Sequence, residues 1–493
     1  MNAEDNTQPY LVVIGASAGG LEPIQTFISE CGVNKQAAFV VIQHLSADYK
    51  SMMRELLARG TDMPIQTVED GMPVVPGHIY LIPPTHNIYL KDRNYFGLAG
   101  KETSGVNLPI NIFLASAAER YGKKLVAVVL SGTGTDGTRG ITAVNAAGGL
   151  SLAQSPETAQ FDGMPASALA TNCVDDNGDP EYLAMRVLEH LEHSQDRSSI
   201  SYVRLETEAD NIEAEVTLTD VLEELKERTG NPFDKYKKTT TARRVDRRMA
   251  LCKMVSLQDY LKLLREDSRE LNTLARDILI GVTSFFRDPA LIEILQQTLQ
   301  AELLKRETGQ EYRVWVAGCS TGEEAYTIAM LLSELMDQLD KRLIVKIFAT
   351  DLEQSYLDVA PAGTYPASIV AELSPERLKR FFSRFGEAYR INQDIRKMVI
   401  FARHNMITDA PFTRLDLLSC RNTLIYFEQD LQKAVLRRFQ YALNPDGVMF
   451  LGSSESLGSL HREFDVISSS AKVYRSLHRG AFSDDRLRAL TQP

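Results

Sequence analysis

Ser17 lies in Gly15-Ala16-Ser17-Ala18-Gly19, between a strand-like apolar run, Leu11–Ile14, and a helical pattern that begins at Leu21. G-x-S-x-G at a strand-to-helix junction is the pattern of a nucleophile elbow. Small flanking residues permit a sharp turn that lifts the hydroxyl above the sheet edge. The helix N-terminus behind it offers N–H groups to an oxyanion. The same glycines also suit a dinucleotide loop, which expects an acidic residue closing the second strand. Here the second run, Phe39–Ile42, ends in Gln43-His44. His44, just past a strand end, suits a general base, and equally a cap for the following helix. Ser131-Gly132-Thr133-Gly134-Thr135-Asp136-Gly137 follows the run Leu125–Leu130. Asp136 suits the carboxylate that orients an imidazole, although Asp-Gly is also ordinary turn chemistry. Three strand ends thus each supply one member of a Ser–His–Asp set, in an order unlike that of the α/β-hydrolases.

A second constellation follows the run Val314–Ala317: Gly318-Cys319-Ser320-Thr321-Gly322-Glu323-Glu324. Its two glycines let backbone approach a ligand closely, and the Lys-Ser/Thr of a phosphate-binding P-loop is missing. The next strand pattern, Ile344–Ala349, ends at Thr350-Asp351, and an acidic residue there suits ribose hydroxyls. NAD and S-adenosylmethionine both fit this much. Glu323 and Glu324 favour a cationic ligand, or simply an acidic first turn of a solvated helix.

These residues need a scaffold. In 493 residues, 44% are hydrophobic and 24% charged, an ordinary globular composition. The length suggests two to four domains. From Leu11 to about Val174, apolar runs alternate with helix-length segments, which predicts a largely parallel sheet covered by helices. Residues 175–214 are turn-rich and polar, apart from a short amphipathic helix expected over Glu181–His193, and a short strand is conceivable at Ser201–Leu205. A helical stretch runs from Glu215 to about Glu270. The βα alternation then returns through Val399–Ala402, Leu415–Leu418 and Val448–Leu451. The net charge of −11 argues against nucleic-acid binding through overall charge. Arg243, Arg244, Arg247 and Arg248 nevertheless sit on about two helical turns. They predict a local basic face for an acidic partner helix, or a merely solvated charged one. Five scattered cysteines show no CxxC spacing, so neither a disulfide framework nor a metal site is expected. No run approaches the roughly 18 apolar residues of a membrane span, and the polar start is no signal peptide. The expectation is a soluble, cytoplasmic protein.

Residues from about Leu11 to Cys173 resemble the catalytic domain of the chemotaxis protein-glutamate methylesterase family (CheB). The motifs are Ile14-Gly15-Ala16-Ser17, Ile42-Gln43-His44, the Ser131–Gly137 run and Gly163-Met164-Pro165. The resemblance implies Ser17 as nucleophile, His44 as base and Asp136 as its orienter. The implied reaction is hydrolysis of glutamate methyl esters, with glutamine deamidation as a side activity. Ala18 stands where the family often has a hydroxyl residue and Thr133 where it often has Met. Ten residues precede the first strand, so the family's receiver domain is not expected in this chain.

From Glu215 to about Arg475 the chain resembles the chemotaxis receptor methyltransferases (CheR), which use S-adenosylmethionine. Phe233-Asp234-Lys235-Tyr236, the Arg243–Met249 run, Thr283-Ser284-Phe285-Phe286-Arg287, the Gly318 loop, Asn405-Met406 and Cys420–Phe427 carry it. The resemblance implies cofactor contacts from Thr283, Arg287, Glu323, Glu324, Asp351, Asn405, Met406, Arg421 and Asn422. It places Arg287 and Tyr426 near the transferred methyl group. The expected fold is α/β: a doubly wound parallel-sheet methylesterase domain at residues 8–192, a linker at 193–214, a small all-helical subdomain at 215–284 and a Rossmann-like S-adenosylmethionine-binding domain at 285–480. The expected function is methylation and demethylation of glutamates on chemoreceptor-like helical signalling proteins. The alternative is a scaffold, inactive or half-active, that binds partners and S-adenosylmethionine.

Overall fold

The computed structural model describes residues 8–43, 52–91, 94–101, 107–171, 173–196, 216–279, 281–386 and 388–477. His44, most of the expected linker and the Ser201–Leu205 segment lie outside these. The chain divides into two compact units. One is Met1–Val216 with Asp246–Tyr260 and Pro366–Ala371; the other is Thr217–Val245, Leu261–Tyr365 and Glu372–Pro493.

In the first unit, strands without polar interruption lie in the middle of the sheet, because helices cover both faces. The strands are β1 (Tyr10–Ala16), β2 (Ala37–Gln43), β3 (Ile65–Thr67), β4 (Ile79–Leu81), β5 (His86–Leu90), β6 (Phe96–Gly100), β7 (Leu125–Val129), β8 (Leu150–Gln154) and β9 (Asp176–Gly178). Seven form one sheet in the order β3-β4-β2-β1-β7-β8-β9, with every neighbouring pair parallel. The hairpin of β5 and β6 stands apart. Side chains alternate across β1: Leu11 and Val13 join one core cluster, and Val12 and Ile14 the other. The strands expected at Leu11, Phe39 and Leu125 are all present, and the helix expected over Glu181–His193 runs from Pro180 to Asp196.

The second unit opens with short helices, including Leu218–Thr229 and Ser268–Ile278. Its strands are β10 (Glu311–Ala317), β11 (Ile344–Asp351), β12 (Thr364–Pro366), β13 (Phe382–Phe385), β14 (Ala388–Ile391), β15 (Val399–Arg403), β16 (Leu415–Cys420), β17 (Leu443–Leu451), β18 (Phe464–Ser468) and β19 (Val473–Ser476). The large sheet runs β15-β11-β10-β16-β17-β19-β18. Its first five strands pair in parallel, and β19 joins β17 and β18 antiparallel. β12, β14 and β13 form a small separate sheet. Trp315, fully buried in β10, has its indole N–H satisfied by Thr350 Oγ1 at 2.8 Å. Among the described residues no helix is long and apolar enough to cross a membrane.

Candidate active sites

In the second unit, β11, β10 and β16 are neighbours, and their carboxyl ends deliver several of the polar residues of one pocket. After β10 the chain turns at Gly318, with φ +78°. A Cβ there would sit 2.5 Å from Thr423 Oγ1, so conformation and space both select glycine. The N–H groups of Gly318 and Cys319 donate to the carbonyl of Thr350 at 2.8 and 2.9 Å, which fastens this loop to the end of β11. Ser320, also left-handed at φ +48°, donates its N–H to Asp351 Oδ2 at 2.8 Å. Asp351 Oδ1 accepts from Glu353 N at 3.0 Å. Burial pushes the Asp351 carboxyl above the usual range, while these N–H groups pull it back.

Glu324, in the first turn of helix Glu323–Gln338, accepts from Ser419 Oγ at 2.6 Å and lies 3.5 Å from Arg421 Nη1. The segment before helix Pro289–Leu304 is anchored at successive residues. Phe285 N donates to Glu372 Oε2 (2.6 Å), Phe286 N donates to Thr327 Oγ1 (3.1 Å), and Arg421 Nη2 donates to the Arg287 carbonyl and Asp288 Oδ2, both at 2.8 Å. Phe286 and Asp288 have φ of +49° and +57°. Such backbone persists only where surrounding contacts over-determine it. Arg377 adds to them, lying 4.0 Å over the Phe286 ring and pairing with both oxygens of Glu334.

The resulting pocket encloses about 980 Å³ of space, part of it open to solvent. Thr283, Arg287, Glu324 and Asp351 line it, as do Asn405, Met406, Arg421, Asn422 and Tyr426. Of the residues expected there, Glu323 is not among the lining; its carboxylate accepts from Thr321 Oγ1 at 2.7 Å. Adjacent helix positions point about 100° apart, so a Glu-Glu pair rarely shares a target. Tyr236 and Ser320 also line the pocket and were missed. Tyr236 stands edge-on to Phe427 at 5.0 Å, a contact between segments almost two hundred residues apart. Burial raises the Tyr426 phenol, opposed by Arg244 and Arg287.

The donor set suits an adenosyl sulfonium ligand. Asp351 ends the second strand, where ribose hydroxyls are held in folds of this type. Glu324 offers negative charge. Arg421 Nε and Asn422 Oδ1 are buried without a partner among the described residues. Buried polar atoms are normally satisfied, and both orphans belong to residues that line this pocket, which fits a polar ligand.

In the first unit, β2, β1 and β7 are adjacent, and the chain leaves the carboxyl ends of β1 and β7 toward Ser17 and Asp136, while β2 ends at Gln43. Ser17 N donates to the Ser131 carbonyl at 3.0 Å, and Gln43 Nε2 donates to the Ser17 carbonyl at 3.3 Å. A Cβ on Gly132 would lie 2.9 Å from Ser17 Cβ, so glycine lets the two loops meet. The Ser131 hydroxyl donates to the Ala18 carbonyl (3.1 Å) and accepts from Phe161 N (3.0 Å). Asp136 is buried, and both its oxygens accept backbone N–H groups, from Ile110 at 3.0 Å and Asn111 at 2.9 Å.

The expected four-arginine face is corrected. In helix Lys238–Leu251, Thr241, Arg244, Val245 and Met249 are buried at i, i+3, i+4 and i+8, so Arg244 falls within the buried stripe at 2% exposure. Arg247, 8% exposed, pairs with Asp175 and donates to the Gly149 carbonyl. Of the four, Arg243 alone is exposed, and Arg248 is half-buried.

Three family models match the chain: CheB methylesterase over residues 12–187, the all-alpha domain of CheR methyltransferase over 217–279, and the CheR methyltransferase SAM binding domain over 281–473. An uncharacterized 104.1 kDa protein of Rhodobacter capsulatus is 41% identical over 87% of this chain, which spans 47% of that relative's length. The chemotaxis protein methyltransferase of Escherichia coli is 33% identical over 49% of this chain and 84% of its own length. The solved CheB methylesterase catalytic domain of Thermotoga maritima aligns over 38% of this chain and 98% of its own at 28% identity, with a TM-score of 0.34.

Proposed function

The chain belongs to the chemotaxis protein methyltransferase family and carries a CheB methylesterase domain ahead of it, and from that premise we propose a bifunctional enzyme that both forms and hydrolyses γ-methyl esters of protein glutamates. Its substrates are glutamate side chains of helical, chemoreceptor-like signalling proteins in the cytoplasm. The observation that carries the transferase half is the pocket at the ends of β10, β11 and β16, with its two orphaned polar atoms.

S-adenosylmethionine supplies an activated methyl group when bound. Asp351 holds the ribose hydroxyls, Glu324 faces the cationic end, and Asn422 and Arg421 complete the polar lining. Because the methyl is already activated, the chain's main task is alignment. Arg287 orients the substrate carboxylate and Tyr426 donates a hydrogen bond beside it.

In the esterase half, Ser17 Oγ attacks the ester carbonyl while His44 takes its proton, and Asp136 holds the imidazole. The ester C–O bond then breaks, His44 returns the proton to the departing methanol, and water releases the glutamate by the same steps. Ser17 N and Gly132 N are already committed to the carbonyls of Ser131 and Phe161. Neither can therefore serve the oxyanion, and the N–H groups of their loop neighbours Ala18 and Thr133 are the donors proposed for it. A backbone donor does not depend on side-chain identity, which reconciles the unusual residues at both positions with turnover.

Calorimetric titration of the full chain with S-adenosylhomocysteine tests the first site: saturable binding is expected, and none would remove the transferase assignment. Methanol release from a methylated receptor fragment tests the second. Release that persists unchanged in Ser17→Ala would exclude Ser17 as nucleophile.

A further inference from the structure

Glu455 follows β17 in Gly452-Ser453-Ser454-Glu455 and is 4% exposed. Its carboxylate accepts four backbone N–H groups. Oε1 takes Thr423 (2.9 Å) and Leu424 (2.7 Å), and Oε2 takes Asn422 (3.1 Å) and Gly452 (2.7 Å). Three of the four belong to the loop that follows β16 and carries Arg421, Asn422 and Tyr426 into the pocket. Among the described residues no Lys, Arg or His pairs with it, so those N–H dipoles alone hold a buried charge. The fit is close on every side. A Cβ on Gly452 would lie 2.8 Å from Glu455 Oε2 and 2.9 Å from Asn422 N. Asn422 itself is left-handed at φ +57°, a conformation that Asn tolerates better than most side chains do.

We infer that Glu455 is a positioning residue for the methyl-donor site: its carboxylate fixes the Asn422–Leu424 turn, and so holds in place the wall of the pocket to which Arg421, Asn422 and Tyr426 belong. This rests on the assignment of the pocket to an adenosyl ligand. A carboxylate is needed because it accepts on both oxygens. In Glu455→Gln one end becomes an NH₂ group, and whichever way it turns, two buried N–H groups face a donor.

The test is calorimetric titration of the full chain with S-adenosylhomocysteine, alongside steady-state methyl transfer. Glu455→Gln is expected to weaken binding roughly 10- to 100-fold, the scale of one or two unmet buried hydrogen bonds. KM for S-adenosylmethionine should rise by a similar factor, and kcat should change much less. Glu302→Gln serves as control. Glu302 is also buried, pairs with Lys305 and Arg475, and does not line the pocket. It should lower the melting temperature and leave affinity unchanged. Binding by Glu455→Gln within about twofold of wild type overturns the inference. Should that variant not fold, Glu455→Asp, which keeps the charge but not the reach, is read in the same way. Wild-type chain that binds no S-adenosylhomocysteine overturns the pocket assignment instead.

Discussion

Replacing Asp136 with Asn keeps shape and removes charge, and the structure fixes what that should cost. Oδ2 accepts from Ile110 N at 3.0 Å, and Oδ1 accepts from Asn111 N and Gly137 N, both at 2.9 Å. Ile110 and Asn111 open helix Pro109–Tyr121, and Gly137 is the N-cap of helix Thr138–Ala147. Asn111 Oδ1 ties the two together by accepting from Gly137 N (3.1 Å) and Gly140 N (2.8 Å). In the better orientation of the amide, its oxygen replaces Oδ1 and its NH₂ group confronts the Ile110 N–H. One unmet buried donor costs about 1–3 kcal/mol, and a lost charge at a helix start about 0.3–1 kcal/mol. A local destabilisation of about 2 kcal/mol corresponds to roughly 30-fold faster amide exchange. Hydrogen exchange with mass spectrometry on the full chain reads this directly. Peptides over residues 107–121 should exchange faster, and those over 311–317 should not. Unchanged exchange at 107–121 would refute the capping network. Methanol release supplies a second readout. If Asp136 also orients His44, turnover should fall toward the roughly 10⁴-fold loss a serine protease suffers on the equivalent change.

Three further outcomes follow from the pocket and the core. Burial holds the Asp351 carboxyl above the ordinary carboxylate range, and the ribose hydroxyls bond best to its ionised form. S-adenosylhomocysteine affinity should therefore fall as pH drops through that raised value, and the same calorimetric pH series on Asp351→Asn should lose the dependence. Gly318→Ala meets both a positive φ and Thr423 Oγ1, so the chain should melt lower and bind S-adenosylhomocysteine at least tenfold more weakly by calorimetry. Burial pushes the Cys31 thiol up to about 12 and raises Cys319 and Cys420 well above the ordinary range. Since the thiolate is the nucleophile, iodoacetamide at pH 8 should leave all three unlabelled until the chain is denatured, as peptide mapping would show.

The long central strands are legible in the amino-acid order, because residues buried on both faces must be apolar without a break, as Leu11–Ile14, Leu125–Leu130 and Val314–Ala317 are. The same order also determined the glycine-bearing loops, since Gly318 and Gly132 stand where nothing larger fits. Short or edge strands escaped: β3, β9 and the small β12-β14-β13 sheet are three to four residues each, too brief for any periodicity. Their pairing comes from neighbours far along the chain. Tertiary structure alone decided which side chains share a space. It sorted Glu324 into the pocket and Glu323 out of it, through an angular step between adjacent helix residues that composition cannot reveal. It buried Arg244 and Arg247, because packing, and not charge, chose the inward face of their helix. It also set Glu455 against the backbone of a loop thirty residues earlier. No side-chain motif marks that contact, because all four of its partners are main-chain N–H groups that any sequence would carry.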